Sequence, residues 1–166
     1  MIHFAGYYNG EKDLGLLRKS LFYIVEKYPV LRSSFEHSSI NPHWKVNEDF
    51  CEEEMAERIV CDDLVKSVHT SLAEEISADS KFQFKLTAHY CDGKTAVSLI
   101  VNHMCMDGTD FKYFISKIVE GYNILLDGGD ISTLSLKTGE RGAEQIYKNM
   151  SEVDAEKAKR LYKNVS

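Results

Sequence analysis

Residues 82–108 constrain the fold more than any other part of the chain. Phe82, Phe84, Leu86, Ala88 and Tyr90 alternate with Gln83, Lys85, Thr87 and His89, which is the period-two pattern of a strand with one buried face. Asp92-Gly93 follows, and both residues tolerate the positive φ angles of a two-residue hairpin turn. Thr95 to Val101 is almost wholly apolar, as a central strand would be. The stretch therefore predicts an antiparallel hairpin over 82–90 and 95–101. Its second strand runs into Asn102-His103-Met104-Cys105-Met106-Asp107-Gly108, and a helix is expected to leave that turn, capped by Thr109 or Asp110. Phe111, Phe114, Ile115, Ile118, Val119, Tyr122, Leu125 and Leu126 give that helix an apolar stripe, and Asp127-Gly128-Gly129 ends it.

The remaining elements are read around this unit. Ile2 to Tyr8 is rich in aromatic and β-branched residues and predicts a strand. Asp13 caps a helix whose stripe is Leu14, Leu17, Leu21, Ile24, Val25 and Tyr28, stopped by Pro29. Val30–Glu36 and His43–Val46 read as short strands and Arg58–Cys61 as a weak one. A helix from Asp62 or Asp63 would bury Leu64, Val65, Val68, Leu72 and Ile76. The order of elements predicts an α+β, two-layer sandwich with a mixed sheet packed on helices. Residues 1–129 read as one lobe. Residues 130–166 read as a polar linker and a last helix to about Lys163, introduced by the capping residues Ser151 to Asp154.

Composition narrows the function. A net charge of −6 argues against a general nucleic-acid binder, which needs a basic face. No apolar run approaches the length of a membrane span, and the N-terminus lacks a basic stretch followed by an apolar one, so a cytoplasmic protein is expected. Cys51, Cys61, Cys91 and Cys105 show no CxxC spacing and read as free thiols.

Within the 82–108 unit, His103, Asp107 and Gly108 form an H-x-x-x-D-G pattern. Three fixed residues of these types arise by chance in on the order of one such chain in a hundred. Their context is the stronger signal: an apolar strand leads in and an amphipathic helix leads out. Histidine takes and returns a proton near neutral pH, and a strand end holds it rigidly beside a cleft. Asp107 would fix the loop through a buried or half-buried ion pair, and Gly108 would allow a bend that a Cβ obstructs. The turn offers two other uses: a Cys105–His103 nucleophile pair, although side chains in a turn need not face each other, and a metal held by His103, Cys105 and Asp107, for which no fourth ligand is visible. His3, His37, His43 and His69 are scattered, His89 reads as solvated on the polar face of its strand, and Glu52-Glu53-Glu54 reads as a wet surface or a helix start.

The pattern resembles the signature of the chloramphenicol acetyltransferases, the nonribosomal-peptide condensation domains and related acyltransferases. Tyr28-Pro29-Val30-Leu31-Arg32-Ser33-Ser34-Phe35 is similar to a second stretch of that superfamily, H-P-x-L-R-x-x-F, at a fitting distance from the first. The resemblance spans roughly Ile2 to Leu126 and is to the N-terminal half of such a domain. It implies that His103 is the general base for attack of a hydroxyl or amine acceptor on a thioester of coenzyme A or of a carrier-protein phosphopantetheine arm. It also implies that Asp107 is structural and pairs with an Arg, for which Arg32 is the candidate. Many members carry a second His where this chain has Asn102, and the later D-F-G-W-type motif is absent here. The half alone is then expected to be inactive and to expose an apolar surface around His103 that meets a second lobe or a second copy. A noncatalytic condensation-like lobe that serves as a binding module is the alternative.

Overall fold

Asp92 and Gly93 take φ angles of 48° and 69°, and the hairpin they close is the centre of the molecule. Strand β5 (Phe84–Cys91) pairs antiparallel with β6 (Lys94–Val101), with Leu86 opposite Leu99 and Ala88 opposite Val97. Strand β1 (Ile2–Asn9) lies antiparallel on the far side of β6, and β4 (Glu57–Val60) parallel to β5, giving the order β1-β6-β5-β4. The short pair β2 (Ser33–Glu36) and β3 (His43–Val46) forms a separate antiparallel hairpin. The computed structural model describes residues 1–38 and 40–137, together with Ser151, Asp154 and Glu156.

Three helices cover the four-stranded sheet. Helix α1 (Leu14–Lys27) is capped by Asp13, whose Oδ1 accepts from the Leu16 N–H at 3.1 Å. Helix α3 (Gly108–Leu126) packs against it so closely that Ser20 Oγ donates to the Ile118 carbonyl at 2.9 Å. A Cβ at Gly121 would collide with Ser20 Oγ and would meet Ile131 and Leu134 at 3.0 and 3.2 Å. Leu21, Ile24, Phe114 and Ile118 meet Leu86, Val97 and Leu99 in one buried cluster.

Helix α2 (Leu64–Leu72), capped by Asp63, covers the opposite face of the sheet. This second layer changes two expectations. Strand β5 is buried on both faces, because Thr87 and His89 lie under α2. His89 is therefore not solvated: it is fully buried, with Ser67 Oγ 2.8 Å from Nδ1 and Ser98 Oγ 2.8 Å from Nε2. Removal from water pushes its pKa down. Of the apolar residues expected on the buried face of α2, Val68 is fully buried but Val65 points to solvent.

The compact unit runs from Met1 to Leu136. It includes the start of the polar stretch, because Ile131 and Leu134 pack into the α1–α3 cluster. In the second unit, Lys137–Ser166, the Asp154 N–H donates to Ser151 Oγ at 3.3 Å, as a cap would. The rest of the expected last helix falls outside the described residues.

Candidate functional site

The candidate site is the turn that leaves β6, and its scaffold begins with a buried glutamine. Gln83 donates from its backbone N–H to the Leu31 carbonyl at 2.8 Å, and its side-chain Nε2 reaches the carbonyls of Ala78 and Ser80, both at 3.0 Å. Its Oε1 accepts from Asn102 Nδ2 at 2.9 Å, and its carbonyl accepts from the Asn102 N–H at 2.8 Å. Every polar group of Gln83 is thus engaged, as complete burial demands. The network ties the Leu31-Arg32 segment to the end of β6, so the two stretches singled out in the sequence are neighbours in space.

Asn102 turns the chain. Its Oδ1 accepts from the Met104 N–H at 3.1 Å and its carbonyl from the Cys105 N–H at 3.0 Å, closing a tight turn with His103 at its apex. The His103 side chain is exposed, and among the described residues it makes no hydrogen bond. Beside it Met104 is 61 % exposed and supplies the apolar surface there. Cys105 and Met106 turn into the core, and Cys105 Sγ donates to the Val30 carbonyl at 3.8 Å. The turn thus points Cys105 inward and His103 outward, which is not the geometry of a nucleophile–base pair. Among the described residues no cluster of three or more His, Cys, Asp or Glu is placed to hold a metal.

Asp107 caps the helix that follows, and the expected pairing with Arg32 is not made. Asp107 is exposed, in extended conformation, and is itself the N-cap of α3: its Oδ1 accepts from the N–H groups of Thr109 and Asp110 at 2.8 and 2.9 Å. The helix therefore starts one to two residues before the expected cap at Thr109 or Asp110. Gly108 is its first residue, and a Cβ there would meet nothing within 4 Å among the described residues.

Arg32 has another partner than Asp107. It lies at the end of a 3₁₀ turn (Pro29–Arg32) that aims the guanidinium at the end of β3. Nη1 donates to the Asn47 carbonyl at 2.9 Å and to Glu48 Oε2 at 2.7 Å, and the group stacks over Phe50 at 4.9 Å. Its Nε is buried and has no hydrogen-bond partner among the described residues. Phe50 continues to Phe22 and Phe82 at centroid distances of 5.1 and 6.3 Å, so Arg32 is the polar end of an aromatic cluster under the site. Neither Phe50 nor Gln83 was singled out in the sequence. Gln83 looked like one more polar residue of an alternating strand, and Phe50 sits in an aperiodic stretch.

No protein-family model matches the chain, and no curated protein matches it by sequence. Solved structures do match by shape. The first condensation domain of the CDA synthetase superposes with a TM-score of 0.70 at 17% identity, over 89% of this chain and 41% of that one. The X-domain from teicoplanin biosynthesis gives 0.69 at 13% identity, over 82% and 30%. The epimerization domain from the third module of tyrocidine synthetase B gives 0.65 at 15% identity, over 88% and 35%. The chain thus spans well under half the length of these proteins. Its mixed sheet, its three helices and these superpositions together give it the fold of a lobe of the nonribosomal-peptide condensation domains.

Proposed function

We propose that this lobe carries the base of a condensation-type acyltransferase, which moves an acyl group from a thioester of coenzyme A or a carrier-protein phosphopantetheine arm to a hydroxyl or amine. The observation that supports it is the presentation of His103: an exposed imidazole at the apex of a turn locked by Asn102, Gln83 and the carbonyl network behind it. In this reading one ring nitrogen of His103 takes the proton of the acceptor as its oxygen or nitrogen attacks the thioester carbonyl. The C–S bond then breaks, and the imidazolium returns the proton to the departing sulfur. Asp107 and Arg32 act indirectly, the first by starting α3 and the second by anchoring the chain beneath the turn. The test is acceptor-dependent release of free thiol from an acyl-coenzyme A or acyl-carrier thioester by the natural full-length protein. Release that ignores the acceptor, or none with any thioester, contradicts the proposal.

A second reading is supported by Asn102. Where many members of the superfamily have another His, this chain commits the side chain to Gln83 and to the turn. A turn with a single His also suits a noncatalytic binding module, and the X-domain of teicoplanin biosynthesis has been solved as a complex with OxyB. Binding of a partner protein with no thiol release in the assay above would favour this reading.

A further inference from the structure

An apolar pocket with a volume of about 180 Å³ lies between β1, β6 and the C-terminal half of α3. Its floor is made of buried side chains, among them Leu17, Leu86, Leu99 and Ile118, and Phe4 and Val119 flank it. The pocket exceeds the roughly 150 Å³ of an engineered apolar cavity that binds benzene.

The mouth has a different chemistry from the floor. Lys12, Tyr8, Tyr122 and Asn123 supply the polar groups there. The Lys12 backbone is pinned on both sides: its N–H donates to Thr95 Oγ1 at 2.9 Å and its carbonyl accepts from Tyr90 Oη at 2.9 Å. Its ammonium stands 5.9 Å from the centre of the Tyr8 ring, and among the described residues it makes no ion pair. The neighbouring Asp13 has one carboxylate oxygen engaged by the Leu16 N–H. An apolar pocket with a lysine at its rim that makes no ion pair among the described residues is suited to an amphiphile with an anionic head and a hydrocarbon tail.

We infer that this cavity binds a medium-chain aliphatic carboxylate, with the tail over Leu86, Leu99 and Ile118 and the carboxylate at the Lys12 ammonium. The site does not depend on acyl transfer at His103. Its polar mouth lies at the Tyr8–Thr95 end of the sheet, from which β6 runs six residues, or about 20 Å, to the turn that carries His103. A ligand there would fill the gap between α3 and β1 and brace the helix that begins at Asp107.

The experiment is calorimetric titration of the full chain with sodium decanoate below its micelle concentration, with decanol as the uncharged comparison. Saturable binding of one decanoate per chain and a raised Tm are expected. Lys12→Met should weaken decanoate by about tenfold, the loss of one charge-assisted contact, and leave decanol unchanged. Val119→Trp, at a position 44 % exposed on the rim, should block both ligands while leaving the fold intact by circular dichroism. Non-saturable uptake, equal decanoate affinity in wild type and Lys12→Met, or unimpaired binding by a folded Val119→Trp would each overturn the assignment.

Discussion

Asn102 Nδ2 donates to Gln83 Oε1 at 2.9 Å, and this buried contact joins the end of β6 to the segment that follows Leu31. Removing either partner strands polar atoms away from water. Asn102→Ala leaves Gln83 Oε1 without its donor and frees the Met104 N–H, so a loss of about 1–3 kcal/mol is expected in urea unfolding. The same variant should loosen the turn, seen as faster amide exchange at Met104 and Cys105. An unchanged exchange pattern would show that the turn does not depend on this side chain.

Asp107 acts as a helix cap, and that sets a floor under its effect. Asp107→Ala should cost at least about 0.5–2 kcal/mol, the range for losing an N-cap. Glu48→Gln should be nearly silent, within about 1 kcal/mol, because Glu48 is 79 % exposed even though it pairs with Arg32. Chemical denaturation of the two variants side by side separates these roles.

Gly121 sits where α1 and α3 come closest. Gly121→Ala drives a methyl group into Ser20 Oγ and toward Ile131 and Leu134. Overpacking of this kind costs about 1–3 kcal/mol, more than the helix propensity of alanine returns. Gly121→Ala combined with Ser20→Ala should recover part of the loss, which a double-mutant cycle would measure.

His89 gives the fold a pH dependence of known sign. Burial lowers its pKa in the folded state, so the unfolded chain binds the proton more tightly. Its contribution is complete above the unfolded value of about 6.5 and declines as pH falls from there toward the lower folded value. The other five histidines are exposed. His89→Gln should therefore flatten the fall of Tm between about pH 7 and 5, at the cost of a lower Tm at pH 7.5. An equally steep fall in the variant would locate the titrating group elsewhere.

The hairpin, the α1 and α3 stripes and the turn carrying His103 were legible because each rests on local chemistry. Asp92-Gly93 selects its own turn, and Leu17, Leu21 and Ile24 recur on one helical face. What was not legible depends on what lies across space. His89 and Gln83 are polar residues at the outward positions of an alternating strand. Only the docking of α2 and the turn of Asn102 bury them, and neither event leaves a mark at those positions. Arg32 was recognised as important but given the wrong partner, because sequence spacing does not reveal that the 3₁₀ turn after Pro29 aims it at Asn47 and Glu48. The cap of α3 was misplaced for a local reason: Asp107, Thr109 and Asp110 are all competent caps, and the one that wins is fixed by where the turn from Asn102 ends.

The most direct test of the account is the rate of acyl transfer by His103→Ala in the natural full-length protein, measured as kcat/KM for thiol release alongside the Tm. Because the His103 side chain is exposed and bonded to nothing described, the substitution should leave Tm within about 1 °C, since surface changes of this kind are close to neutral. The loss of a general base should lower kcat/KM by about 10²–10⁴-fold. Full activity in a correctly folded His103→Ala protein would contradict the assignment of His103 as the base.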